Sequence, residues 1–311
     1  MTLRFRLRPC VLIAFIALAA ACPREPGPNT AVALATDASL ASLPPPDAAA
    51  PARARTPPAP EPARDGRAFE TDATATYTVV ATVADAAMLQ GSVRFVGARP
   101  PLPPAWKLTK DAPTDPCAST RASRLALDAE GHVGNAVVSL VGVRRGLALD
   151  VQKPVALAVQ GCAFVPRVVV APLGGQLVLK NQDEVLHNAH AYLGAKTLFN
   201  VGLSRPGVEI PRRLVRAGLL EVGCNAGHPT EAAWVVVATH PYHAVTDAQG
   251  RFALRGIPPG DYHVRLWHPG WRVTTTHAEG RHTFEAPRTV EKSVTLIPNK
   301  ALQLNFELND D

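Results

Sequence analysis

Beyond about Thr74 the chain is a series of short apolar or alternating runs separated by turn residues. "TYTVVATV", "GSVRFVG", "NAVVSLVGV", "FVPRVVVA", "QLVLKNQD", "LLEVGC", "AWVVVATH", "GRFALRG", "DYHVRLWH", "KSVTLIP" and "LQLNFEL" read as strands, dominated by Val, Leu, Phe and Tyr. "PLGGQ", "TDAQGR" and "GIPPGDY" supply turns between them. No segment carries a long 3.6-residue apolar period with caps. "IPRRLVRAGLL" comes nearest, but Pro211 and Gly218 make it a loop or a pair of strands. Many closely spaced strands with few helices predict an all-β sandwich or barrel, and no fixed-period repeat is present. Side chains alternate along a strand, so Phe164, Pro166, Val168 and Val170 are expected on one face. By the same rule Tyr262, Val264, Leu266 and His268 share a face, opposite His263, Arg265 and Trp267.

The N-terminal part does not follow this pattern. "MTLRFRLRP" provides Arg4, Arg6 and Arg8, an apolar run follows, and "LAAAC" ends at Cys22. Residues 1–21 read as a secretory signal peptide, the run being short for a membrane span. A cysteine after small residues resembles a bacterial lipobox, with leucine one position earlier than usual. That pattern makes Cys22 the lipidated first residue of a protein of the cell envelope, in the periplasm or at the outer membrane. The plainer reading of the same residues is an ordinary cleaved signal. Residues 22–73, with "SLPPPDAAAPARARTPPAPEPARDG", are too poor in bulky apolar residues to bury a core and read as an extended, disordered tether. The formal charge of +6 falls to +3 without the three leader arginines. No basic run with interleaved aromatics occurs, so nucleic acid is not an expected partner.

Of five cysteines, Cys10 leaves with the signal and Cys22 is the candidate anchor. An oxidising compartment favours pairing of the rest. Cys117 and Cys162 as a disulfide would leave Cys224 as a thiolate for a metal; a disulfide that includes Cys224 is the alternative. "KNQDEVLHN" delivers His187 at a strand end, and "CNAGHPTEAAW" delivers Cys224 and His228 from a loop between two strands. These can converge at one end of a sandwich. Two imidazoles and a thiolate in a near-trigonal plane, with a weak axial ligand, serve copper in both oxidation states.

Residues 164–234 resemble the cupredoxin (plastocyanin-like) family through "F-x-P…G…N-x-D…H-N" followed by Cys, a short loop and His. From about Gly91 to Trp271 the chain is similar to a bacterial exported family in which a cupredoxin runs into a carboxypeptidase-regulatory-like β-domain. "TKDAPTDPC", "GCAFVP", "NQDEVLHNAH", "TLFNVGL" and "HPYHAVTDAQGRFALRGIPPGDYHVRLWH" carry that likeness. It implies a Greek-key cupredoxin-like sandwich over 74–239 with an appended small β-sandwich over 240–311. It also implies copper ligands at His187, Cys224 and His228. Two departures stand out. Glu231 occupies the place of the axial methionine, and the two methionines, Met1 and Met88, are far away in sequence. A carboxylate there is a harder ligand, favouring Cu(II) and also suiting four-coordinate Zn(II), and a Glu231 that points to solvent leaves a three-coordinate metal. Arg167 stands where the family often has histidine.

The metal-free alternative makes His187 a hydrogen-bonded strand-end residue and Cys224 a buried small hydrophobe. Asn188 is expected to tie the two ligand segments by hydrogen bonds. His190 is expected on the opposite face from His187, as a supporting or surface residue ahead of an alternative ligand. His240, His243, His263 and His268 make the C-terminal part histidine-rich, more in keeping with structural roles than with a second metal. Trp267 and Trp271 fit core and edge positions better than sugar stacking. No nucleophile elbow, HExxH, phosphate loop or carboxylate pair is present, so an enzyme is not expected. The sequence points to a copper-binding protein that transfers electrons to a redox partner or holds copper. Its alternative is a metal-free or zinc-bound binding module for carbohydrate or a protein.

Overall fold

Among the described residues every regular element is a β-strand. The computed structural model describes residues 76–103, 116–117, 123–226, 232–276 and 282–310, all within the compact unit Pro58–Asp311. The expected signal peptide (1–21), the tether (22–73) with Cys22, and His228 and Glu231 lie outside the described residues.

Four sheets stack with three apolar layers between them. The first sheet runs Glu209–Arg213, Gln176–Asn181, Val155–Val159, Phe164–Val165. The second runs Lys196–Leu203, His187–Leu193, Gly218–Gly223, Ala232–Ala238, Val168–Pro172. The third runs His243–Val245, Val137–Val141, Gly260–His268, Arg288–Leu296. In the fourth, Arg251–Ile257 pairs one edge of Ala87–Val96, while Ala301–Gln303 and Phe306–Asn309 pair the other. Leu157, Leu177 and Leu179 of the first sheet meet Ala189, Leu220 and Val235 of the second. Val264 and Leu266 of the third meet Leu89, Val93 and Phe306 of the fourth. Between second and third sheets, Val168, Trp234 and Val236 pack on Val137 and Trp267.

This arrangement explains the unbroken apolar run "AAWVVVA". All of Ala232–Ala238 is buried. Ala233, Val235 and Val237 face the first layer, while Ala232, Trp234 and Val236 face the middle one. A strand covered on both faces has no reason to alternate. Trp234 and Trp267 meet edge to face with centroids 6.3 Å apart. The Arg124 guanidinium lies over both Trp234 and Phe284, 4.8 and 3.5 Å from their ring centroids.

Three expectations are corrected. The division into 74–239 and 240–311 does not follow the sheets. Ala87–Val96 pairs with Arg251–Ile257, and Val137–Val141 pairs with Gly260–His268. These N-terminal strands complete the C-terminal sandwich, and the first two sheets, 155–238, are inserted between its halves. Without Leu89 and Val93, the apolar face of Val264 and Leu266 would lack its cover. Second, Phe164 does not share a face with Val168 and Val170. Pro166 offers no N–H to a ladder, and here the chain passes from the first sheet to the second, sending Phe164 to one layer and the valines to another. Third, "TYTVVATV" yields only the exposed strand Thr78–Val79, paired with Arg145–Gly146.

"IPRRLVRAGLL" becomes two strands, with Pro211 in an edge strand of the first sheet. Gly260–His268 ends with Leu266, Trp267 and His268 all buried, because both of its faces are covered there.

His240 and His268 are fully enclosed, and among the described residues their Nε2 atoms have no hydrogen-bond partner. Burial pushes His240 down to about 4. Burial, then the charges of Arg124, Arg288 and Arg167 against an opposing Glu285, takes His268 to about 3. The unfolded chain binds these protons near the ordinary histidine value of about 6.5. Stability from both groups is therefore full above that pH and declines as pH falls toward 4 and 3. Each costs about 2 kcal/mol by pH 5. Urea midpoints measured between pH 7.5 and 4.5 should fall accordingly, with a shallower slope in His268→Gln. Trp267→Ala should destabilise the whole unit by about 3–5 kcal/mol. Urea unfolding checks this, and a loss below about 1 kcal/mol would show that the middle layer does not join the sandwiches.

Candidate metal centre

Register decides which side chains meet. His187–Leu193 runs antiparallel to Gly218–Gly223, with His190 opposite Gly223. Extending that ladder by one position sets Cys224 opposite Ala189. Alternation then puts Cys224, Ala189 and His187 on the inner face, and Asn188, His190 and Asn225 on the outer one. The burial agrees: His187 and Ala189 are 0% exposed and Cys224 is 5% exposed. Cys224 Sγ lies 4.0 Å from His187 Nδ1.

The turn before His187 is built by Asn181, itself buried in the first layer. Its Nδ2 donates to the carbonyls of Val185 and Leu203 at 2.9 and 2.8 Å, and its Oδ1 accepts from the Asp183 amide at 2.9 Å. Asp183 is thereby aimed back at the protein. Its Oδ1 accepts from the Gly161 amide at 2.7 Å, and its Oδ2 from the Cys162 amide at 2.8 Å. The same Oδ2 lies 3.1 Å from His187 Nε2. A carboxylate only accepts, so Nε2 carries a proton, and in the neutral imidazole the Nδ1 lone pair then faces Sγ. Asp183 was not singled out from the sequence; its signal was its place two residues after Asn181 in the "N-x-D" of "KNQDEVLHN".

On the outer face Asn188 Oδ1 accepts from the Asn225 amide, and its Nδ2 donates to Asn200 Oδ1 at 2.6 Å. The residue after His187 is thus tied to the residue after Cys224. His190 points away from the thiol. Its Nε2 donates to Thr197 Oγ1 at 3.0 Å, Tyr192 Oη and Asn225 Nδ2 approach its Nδ1 at 2.7 and 2.6 Å, and its ring stacks on Tyr192. Burial pushes the His190 imidazole down. Strand parity removes it as an alternative ligand at Cys224. The disulfide joins Cys117 and Cys162 and leaves Cys224 as a buried thiol. At Arg167 the backbone carbonyl accepts from the Trp234 amide at 2.9 Å, and burial draws the side chain's pKa down.

The two donors fit one small metal ion. With a metal–sulfur bond of about 2.3 Å and a metal–nitrogen bond of about 2.0–2.1 Å, a 4.0 Å Sγ–Nδ1 separation corresponds to an angle of about 131–137°, wider than the ideal trigonal angle. The pair is dry, and the imidazole is oriented from behind by a carboxylate, a common support for metal-binding histidine. A second group could also chelate a metal: among the described residues Asp128, Glu130 and His132 place one ligand atom each within 4.8 Å of one another. It is a surface turn. Asp128 Oδ1 accepts from the amides of Glu130 and His132, and Oδ2 lies 2.8 Å from His132 Nδ1. It shares no residue with the Cys224 site.

Residues 222–309 match the carboxypeptidase regulatory-like domain family. No curated protein sequence matches the chain. Among solved structures, the purple cupredoxin of Nitrosopumilus maritimus is 23% identical, over 27% of this chain and 99% of its own, with a TM-score of 0.24. Amicyanin of Paracoccus versutus is 17% identical, over 28% of this chain and 82% of its own, with a TM-score of 0.25. The copper-containing nitrite reductase of Thermus scotoductus is 19% identical, over 30% of this chain and only 25% of the reductase, with a TM-score of 0.26. The chain is an all-β protein with a C-terminal carboxypeptidase-regulatory-like domain and a weak, partial structural similarity to cupredoxin-fold proteins.

Proposed function

We propose that the protein binds one copper ion through Cys224, His187 and His228, with Glu231 or nothing as a fourth donor, and carries single electrons or holds copper at the cell envelope. The observation that carries this reading is the buried Cys224 Sγ–His187 Nδ1 pair, 4.0 Å apart on one inner sheet face. Copper, when bound, supplies one-electron chemistry. The chain supplies the rest. The apolar layer around Cys224 excludes water from the thiolate. Asp183 keeps the His187 proton on Nε2, and Asn188 holds the two strand ends together. A sheet that fixes both donors keeps rearrangement between oxidation states small. A Glu231 that coordinates in place of a thioether would favour Cu(II) and lower the potential.

Such a carrier needs no catalytic nucleophile or base, only a redox partner protein. The signal-like leader and "LAAAC" support export and a lipid anchor at Cys22. A Cys117–Cys162 disulfide suits an oxidising compartment. Zinc is the competing occupant, since two histidines, a cysteine and a glutamate also make a closed tetrahedral set.

Titration of the chain lacking residues 1–21 with Cu(II) tests the reading. One equivalent should bind and give an intense visible thiolate-to-copper band that Cys224→Ser abolishes. Absence of bound copper by metal analysis, or a band that survives Cys224→Ser, would contradict it. Colourless binding of one zinc that copper does not displace favours the zinc reading.

A further inference from the structure

We propose that the Cys117–Cys162 disulfide is a positioning element of the metal centre, acting on His187 through Asp183. This deepens the copper reading and rests on it.

Residues 160–163 form a tight two-residue turn between Val155–Val159 and Phe164–Val165. The Gln160 amide donates to the Ala163 carbonyl at 2.9 Å and the Ala163 amide returns to Gln160 at 3.3 Å. Both central residues are left-handed, Gly161 at φ 59° and Cys162 at φ 61°. Type I′ hairpin turns have positive φ at both central positions and favour glycine at the second. Cys162 stands there instead, where its Cβ disfavours the conformation. Two restraints hold it. One is the bond to the buried Cys117. The other is the Asp183 carboxylate, which accepts from both turn amides.

The chain of contacts continues inward. Asp183 Oδ2 is shared between the Cys162 amide and His187 Nε2, 2.8 and 3.1 Å away. A turn that relaxes at Cys162 withdraws a donor from the oxygen that orients the imidazole. His187 Nδ1 then loses its fixed aim at Cys224 Sγ. The disulfide touches neither His187 nor Cys224 in this scheme; it sets the position of the group behind the ligand.

The test compares the wild-type chain with Cys117→Ala/Cys162→Ala, with Asp183→Asn, and with all three changes combined. Copper affinity is read by chelator competition, together with the position of the thiolate-to-copper band. Amide exchange at positions 161 and 162 is read in the metal-free protein. Loss of the disulfide should speed exchange at both amides, shift the band and weaken copper binding by about tenfold or more, the usual effect of losing an outer support. Asp183→Asn should do the same, and the combined variant should be no weaker than Asp183→Asn alone, because both changes act through one contact. Cys117→Ala/Cys162→Gly restores a residue suited to the turn without restoring the cross-link. It should recover part of the affinity lost by the alanine pair, which a general loss of stability would not produce. It also serves if the alanine pair fails to fold. Unchanged affinity and band in a folded protein without the disulfide, or losses that add in the combined variant, would overturn the proposal. A wild-type chain that binds no copper would instead sink the metal reading. Exchange at 161 and 162 then still decides the mechanical link, and rates unaffected by the disulfide would refute it.

Discussion

The strand Ala232–Ala238 has no solvent face, and the placement of the candidate site depends on that. One set of its side chains closes the first apolar layer, and the other set, with Trp234, closes the layer shared with the third sheet. Water is excluded from both sides, so the strand cannot slip by one residue without exchanging Trp234 for Ala233 or Val235 across the sheet. Its first residue, Ala232, pairs with Gly223. The segment that leaves the sheet at Cys224 therefore returns at a fixed point beside Gly223, with Gly218–Gly223 lying between it and the strand that starts with His187. The second sandwich is thus more than an appendage: it covers the back of the sheet that carries His187 and Cys224.

Within that frame the site is an exercise in satisfying buried polar groups. A thiol and an imidazole in an apolar layer are costly unless each polar atom has a partner. Asp183 deals with the far side of the imidazole, and its own lone pairs go to two turn amides from a different strand connection. Asn181 donates its amide to the Val185 carbonyl of the turn before His187 and to the Leu203 carbonyl of the neighbouring strand. The polar residues that could compete for the thiol, Asn188, His190 and Asn225, are occupied with one another on the outer face. The arrangement brings Sγ and Nδ1 within 4.0 Å of each other on the inner face.

Local pattern made the all-β class readable, because alternation and turn residues act over a few positions. It also made the inner and outer sides of "HNAH" readable, since parity is a property of the strand itself. Partners distant in sequence were not readable. Nothing in "GSVRFVG" says that Ser92 will lie beside Arg251, or that Val137–Val141 will sit against Gly260–His268. For that reason the interleaving of the two sandwiches was missed. The strand His187–Leu193 carries small alanines inside and polar groups outside, so its hydrophobic signal is weak. At Pro166 a single missing N–H marks a change of sheet that periodicity reads straight through. Asp183 looked like an ordinary turn residue, because only the fold brings Gly161 and Cys162 to it.

The central claim is that Cys224 and His187 hold the same ion. X-ray absorption at the copper edge of the loaded protein measures this directly. The account predicts one short copper–sulfur scatterer together with imidazole scattering, the sulfur lost in Cys224→Ser and the imidazole contribution reduced in His187→Ala. A first shell of oxygen and nitrogen alone, or one unchanged by both substitutions, would contradict it.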